Sequence, residues 1–293
     1  MFYQLPLSDH SIFTTVRISA AAKCVLAAFA ITLSISTLGV AQQIVASKMA
    51  TPSVPKIPLM VSEEIGDDLS PSPLPPETRA VLKFLESQLD IQFELRRQPW
   101  KRALDRAMVG EGLIFGVSKT KARLKVLNFS ETLYEDGVWL VSRCDATFPF
   151  RTLEDLKGKT IGVVRGASSG EEFDAQANKL FRVEDDTGAT QGRFTKLAQK
   201  RMDALVFYKA NSTPERLSEE LNRLYTPPAF AHTKLQGKPL FCVLPQTITT
   251  TSIHIGLAKT QDQSLIQRIN QAILTGRKNG SLQKIISAEQ DRN

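Results

Sequence analysis

The feature that most constrains this chain is an alternation of strand-like and helix-like runs in its first half. Ile57-Pro58-Leu59-Met60-Val61 is a short apolar run with strand character. Residues 77–89 then place Val81, Leu82, Leu85 and Leu89 on one helical face. Ile91, Phe93 and Leu95 alternate with Gln92, Glu94 and Arg96, which is strand spacing. Pro99 opens a second helix whose inner face is Ala103, Leu104, Ala107 and Met108. Leu113-Ile114-Phe115-Gly116-Val117 closes the series as a buried strand. This βαβαβ rhythm implies an α/β fold with a parallel sheet. In such sheets ligands bind beyond the carboxyl ends of the strands. Ser118 and Arg123 stand just beyond the third strand. A guanidinium offers a planar fork of donors that matches a carboxylate. On these residues alone, a surface arginine on a loop is an equal reading.

The chain has 293 residues and a formal net charge of +7, without long Lys/Arg blocks. That balance points to an anionic ligand or surface and carries no nucleic-acid footprint. Arg17 and Lys23 precede an uncharged run, Cys24 to Ser47, with small residues at Gly39-Val40-Ala41. The pattern describes a secretory signal peptide over 1–41, with an uncleaved anchor as the alternative. A Pro/Ser-containing tether follows over 42–56. Export leaves Cys144 and Cys242, which either pair or remain two buried thiols; the second reading is preferred here. His10, His232 and His254 are isolated, so no metal site is expected. No cofactor motif is present. The loop from Ser62 to Pro76 is acidic and then proline-rich, and Glu63 and Glu64 read as solvated loop charges.

Gly116-x-Ser118-x-Thr120-x-x-Arg123, continuing to Phe129-Ser130, resembles the domain-one signature of type II periplasmic solute-binding proteins. The nearest branch is bacterial family 3, the polar amino acid-binding proteins of ABC importers. Leu153 to Gly166, and Ile255-Gly256-Leu257-Ala258-Lys259 with the amphipathic helix after it, extend the resemblance over about 57–288. It implies two lobes, each a mainly parallel sheet flanked by helices, joined by two hinge crossings. The crossings are expected at 133–137 and near 249–253. Domain one is then 57–132 plus 254–290, and domain two is inserted as 138–248. Gly116, Ser118 and Arg123 would hold the ligand, and Trp100 would form a wall against it.

In domain two, Arg165-Gly166-Ala167-Ser168-Ser169-Gly170 separates a strand, Thr160 to Val164, from a helix. Ser168 or Ser169 is expected as the N-cap, with the amides of Ala167 to Ser169 open to an anion. The resemblance places an ammonium-binding Asp at the end of the strand Ala204 to Tyr208, but here the residue is Tyr208. A phenol supplies no full negative charge near neutral pH. Either the Glu63/Glu64 pair replaces that charge, or the ligand is a carboxylate without an ordinary α-ammonium; the second is preferred.

The reading is a monomeric periplasmic protein that binds a small carboxylate-bearing molecule for an ABC permease, and is not an enzyme. The alternatives are a sensor or partner-binding protein on the same fold, and a periplasmic dehydratase-like enzyme. The enzyme would need a positioned general acid, for which only Glu63 and Glu64 offer themselves.

Overall fold

The computed structural model describes residues 54–65, 70–187, 189–230 and 239–290. The expected leader and most of the tether lie outside these residues, as do Asp67, Asp68 and His232.

The first half follows the sequence rhythm. Strand β1 (Lys56–Ser62) leads to α1 (Pro76–Leu89), β2 (Gln92–Gln98), α2 (Trp100–Met108), β3 (Leu113–Val117) and β4 (Leu127–Phe129). Pro76 is pre-set for the first turn of α1, and Asp90 ends that helix in the left-handed conformation (φ 52°). The second part comprises β5 (Tyr134–Arg143), β6 (Thr160–Val164), α3 (Glu171–Gln176), β7 (Arg182–Asp186), α4 (Thr190–Ala198), β8 (Ala204–Lys209), α5 (Pro214–Tyr225) and β9 (Phe241–Val243). The chain returns through β10 (Thr249–Ala258) and ends in α6 (Ser264–Lys278) and α7 (Ser281–Gln290).

The strand order is β2-β1-β3-β10-β5-β8-β6-β7. The β1–β2, β1–β3, β6–β7 and β6–β8 pairs are parallel, while β10 and β5 run antiparallel to their neighbours. Two lobes result, bridged where Thr249 to Ile253 of β10 pair with Val138 to Tyr134 of β5. The β-branched Thr249-Thr250-Thr251 run suits that extended crossing. The outer half of β10 joins β3 and β4 instead. One core gathers Leu59, Leu85, Ile255, Ile269 and Ile273 under α1, α6 and α7. In the other lobe Leu140, Ile161, Phe173, Phe181 and Val206 form one cluster, and Phe194, Leu217 and Phe241 another.

Two expectations need correction. The sequence reads a tail helix over about 262–275 with Leu265, Ile266, Ile269, Ile273 and Leu274 as its apolar packing residues, but Leu274 is 47% exposed. The buried stripe runs through Ile266, Ile269, Ala272, Ile273 and Gly276, and Leu274 lies about 100° round the helix from Ile273. Cys144 and Cys242 form a disulfide instead of two separate thiols, with Cα atoms 5.0 Å apart. The antiparallel β5–β9 ladder sets Ser142 opposite Cys242 and so brings Cys144 within reach. Both cysteines stand at the outer end of β5, away from the crossing.

Candidate ligand-binding site

A cavity of about 270 Å³ lies where β1, β3, β6 and β8 end, beside the crossing strands. Its wall takes Val61 and Ser62 from the end of β1, Phe115 and Gly116 from β3, Val164 from β6, Tyr208 from β8, and Asp136 and Thr251 from the crossing. The volume suits a molecule of about amino-acid size, since drug-sized ligands occupy roughly 300–1,000 Å³.

The turn after β3 is built by one glycine. Gly116 has φ 85°. It is the extra residue of a bulge, because Val117 and Phe115 face the consecutive residues His254 and Ile255. A Cβ at Gly116 would meet nothing within 4 Å, so backbone conformation and not space demands glycine. The bulge turns the chain toward the cavity at Ser118.

Arg123 is 7% exposed. Its Nη1 donates to the Ser118 carbonyl and to Ser118 Oγ, both at 2.8 Å. Its Nη2 donates to the Gly166 carbonyl of the opposite lobe at 2.8 Å. A guanidinium has five donors, so two remain without a protein partner among the described residues. Burial lowers its pKa, against the pulls of Tyr208 and Asp174. An arginine remains protonated through such a shift. Nearby, Trp100 is 8% exposed and lines the wall, and its Nε1 has no hydrogen-bond partner among the described residues. Arg97 Nε is orphaned likewise. Arg97 also donates to the Ser72 carbonyl, which holds the proline-rich loop as a wall through Pro73, Leu74 and Pro75.

From the second lobe, Ala167 and Ser168 reach the cavity. Ser169 does not line it: it is 2% exposed and its Oγ lies 3.0 Å from Tyr208 Oη. Tyr208 Oη also donates to the Ser168 carbonyl at 3.2 Å. Burial raises the pKa of this phenol, so Tyr208 faces the ligand neutral. Neither serine is the N-cap. That position falls to Gly170 (φ 105°), which makes no side-chain cap bond. The amides expected to be open are largely engaged. Ala167 N–H donates to the Val164 carbonyl and Ser169 N–H to Asp174 Oδ1. Asp174, one turn into α3, has taken the place of the expected anion. It also accepts from Ser168 Oγ.

Two carboxylates enter the wall: Glu64, which the sequence offered only as the less favoured alternative, and Asp136, which it did not single out. Glu64 is a half-buried wall residue and not a solvated loop charge. It accepts from Thr190 Oγ1 at 2.6 Å and Thr190 N–H at 3.3 Å, which ties the first lobe to the start of α4 in the second. Burial raises its pKa, partly offset by those bonds and by Arg193 and Arg97. Asp136 lines the cavity from the crossing strand. Burial, with Glu77 adding, pushes its carboxyl up to about 7. Glu63 lies outside the wall. No cluster of metal-ligating side chains occurs among the described residues.

The fold and this site define a two-lobed binding protein of the type II periplasmic class. A mutant of ArgBP from T. maritima shares it at TM-score 0.62, with 18% identity over 80% of this chain and 95% of that one. An amino acid ABC transporter substrate-binding protein from Streptococcus pneumoniae, bound to L-arginine, matches at TM-score 0.61 and 17% identity, covering 80% and 94%. The GluR0 ligand-binding core from Nostoc punctiforme, in complex with L-glutamate, matches at 0.57 and 18%, covering 78% and 96%. At these identities the likeness establishes the fold. Among curated proteins, none matches the chain. The family of bacterial extracellular solute-binding proteins, family 3, matches residues 79–288, and the chain belongs to that family.

Proposed function

We propose that this protein is exported by the leader at 1–41 and acts in the periplasm as a monomer. It would capture a small carboxylate-bearing solute, amino acid-like or an organic acid, and deliver it to an ABC importer. The observation that carries this reading is the Arg123 guanidinium. It is buried in the cavity wall, braced by Ser118, and has two donors left over. A carboxylate would satisfy them in a fork, and orphaned donors at Trp100 and Arg97 favour the same polarity. Arginine and glutamate, the ligands of two fold neighbours, are carboxylates as well.

The lobes, 57–132 with 254–290 and 138–248, would close on the ligand about the crossing. Their facing surfaces already meet through Arg123 with Gly166, Glu64 with Thr190, and the Lys121 amide with Glu171 at 2.9 Å. A ligand touching both lobes shifts an open–closed equilibrium by its differential contacts. We read the wall as a binding site, since the family and the fold neighbours are binding proteins, and Glu64, one of the two acids of the enzyme reading, is held by Thr190.

Isothermal titration of the wild type, Arg123→Ala and Arg123→Lys against glutamate, succinate and 3-phenylpropionate tests the reading. Loss of two charge-assisted bonds, about 1.5 kcal/mol or more each, should weaken binding about a hundredfold or more in Arg123→Ala. Arg123→Lys should recover only part of it, because a point charge replaces the fork. Unchanged affinity in both variants would refute the site.

A further inference from the structure

We propose that Arg97 and Trp100 form a second, acceptor-binding subsite in this cavity, so that the ligand is a dicarboxylate without an ammonium group. The inference rests on the carboxylate reading above and narrows its substrate class.

Arg97 lies at the end of β2 and Trp100 opens α2, with Gln98 and Pro99 between them. Both line the cavity. Arg97 Nε and Trp100 Nε1 are buried and have no hydrogen-bond partner among the described residues. Trp100 is 8% exposed, so bulk water does not stand in for that partner. A buried donor left unmade is costly, and an acceptor on the ligand removes the cost. An indole N–H and a guanidinium only donate. The Arg97 charge makes a carboxylate the best-matched acceptor. Glu64 is the acid whose charge Arg97 feels, but its hydrogen bonds go to Thr190. Helix α2 adds the same polarity. It opens without a side-chain cap and has no acidic residue in its first turn. Its positive end favours an anion.

This subsite is separate from Arg123. Strands β2 and β3 flank β1, and all three run parallel, so their ends lie along one edge. Two strand spacings put β2 and β3 roughly 10 Å apart. Arg97 and Trp100 follow one of them, and Ser118 and Arg123 follow the other. Val61, Leu74 and Phe115 give the wall an apolar stretch suited to a hydrocarbon frame between two carboxylates. An ammonium is poorly served here. The phenol of Tyr208 at the end of β8 is neutral, donates to the Ser168 carbonyl and lies 3.0 Å from Ser169 Oγ. Asp136 stands near Glu77 and Lys209, and burial pushes its carboxyl up to about 7, so near neutrality it is only partly charged. Burying an ammonium without a fully ionised partner is costly.

The test is isothermal titration of the full-length chain with probes that differ by one carboxylate: succinate against butyrate, glutarate against pentanoate, and adipate against hexanoate. L-glutamate against glutarate tests the ammonium. In the wild type at least one dicarboxylate should bind roughly tenfold or more tightly than its partner. L-glutamate should bind no more tightly than glutarate. Trp100→Phe keeps a ring and removes the N–H, and the dicarboxylate preference should fall severalfold. In Arg97→Gln it should approach one. Monocarboxylate binding reports that each variant is folded. A preference near one in the wild type, a preference that either variant preserves, or tighter binding of L-glutamate than of glutarate overturns the inference. If the monocarboxylates bind and depend on Arg123, the carboxylate reading stands without it. If no probe binds, or Arg123→Ala changes nothing, both fall.

Discussion

Replacing both cysteines, Cys144→Ser with Cys242→Ser, should lower stability substantially and leave ligand binding intact. The bridged residues are 98 positions apart in sequence. Closing a loop of about 100 residues restricts the unfolded chain by about 4.7 kcal/mol at 25 °C in the chain-entropy account. Strain and residual structure make this an upper figure. For a chain of this size each kcal/mol moves the melting temperature by roughly 2–4 °C, so a fall of about 10 °C is expected. The closed loop contains β6 to β8 and most of the second lobe's cores, Phe173, Phe194 and Leu217 among them. Amide exchange should therefore accelerate in that lobe more than in β1 to β3. The bridge lies at the end of β5 opposite the crossing, so Arg123 and its surroundings keep their geometry. Urea unfolding and calorimetry under non-reducing conditions give the stabilities, and thiol titration of the denatured wild type gives the redox state. Two free thiols in oxidised protein, or an unchanged urea midpoint in the double variant, would refute the reasoning.

Three further outcomes follow. Gly116→Val should cost about 1–2 kcal/mol through its positive φ, since the space beside it is open; a variant with wild-type thermal stability would show that the bulge relaxes freely. Thr190→Val removes one of the two bonds to Glu64 across the lobes and should weaken ligand affinity severalfold, about 1 kcal/mol; an unchanged dissociation rate would mean that this contact does not hold the lobes closed. Asp136 has a folded pKa of about 7 against an ordinary value of 3.8. The native state therefore holds the extra proton between those values, and its contribution to stability falls as pH rises through that window and levels off above it. Urea midpoints at pH 5 and pH 8 should differ less in Asp136→Asn than in the wild type, and equal differences would remove Asp136 as the cause.

The local elements were legible because their signals are local. The apolar runs 57–61, 113–117 and 160–164 and the helical face of α1 each repeat within a few residues. The two crossings were reached only through resemblance, and the pairing of β10 with both β5 and β3 was not reached at all, since no spacing reports a contact across more than a hundred residues. The same distance hid the disulfide, whose proximity comes from the β5–β9 register. Arg123 and Ser118 stood out because a fork donor followed a strand end. Asp136 did not, because nothing within Glu135-Asp136-Gly137 reveals that a strand pair will carry that carboxylate to a cavity. Glu64 was misread for a like reason: its partner Thr190 lies in the other lobe. Ser169 and the amides beside it were misread because Asp174, one helical turn away, competes for the groups expected to meet an anion.

The most direct test of the central claim is a thermal-shift series on the wild type with amino acids, dicarboxylates, aromatic acids and neutral sugars. A ligand at a hundred times its dissociation constant adds about 2.7 kcal/mol to apparent stability. The account predicts clear upward shifts with carboxylates that disappear in Arg123→Ala. Shifts with neutral sugars alone, or carboxylate shifts that persist in that variant, would contradict it.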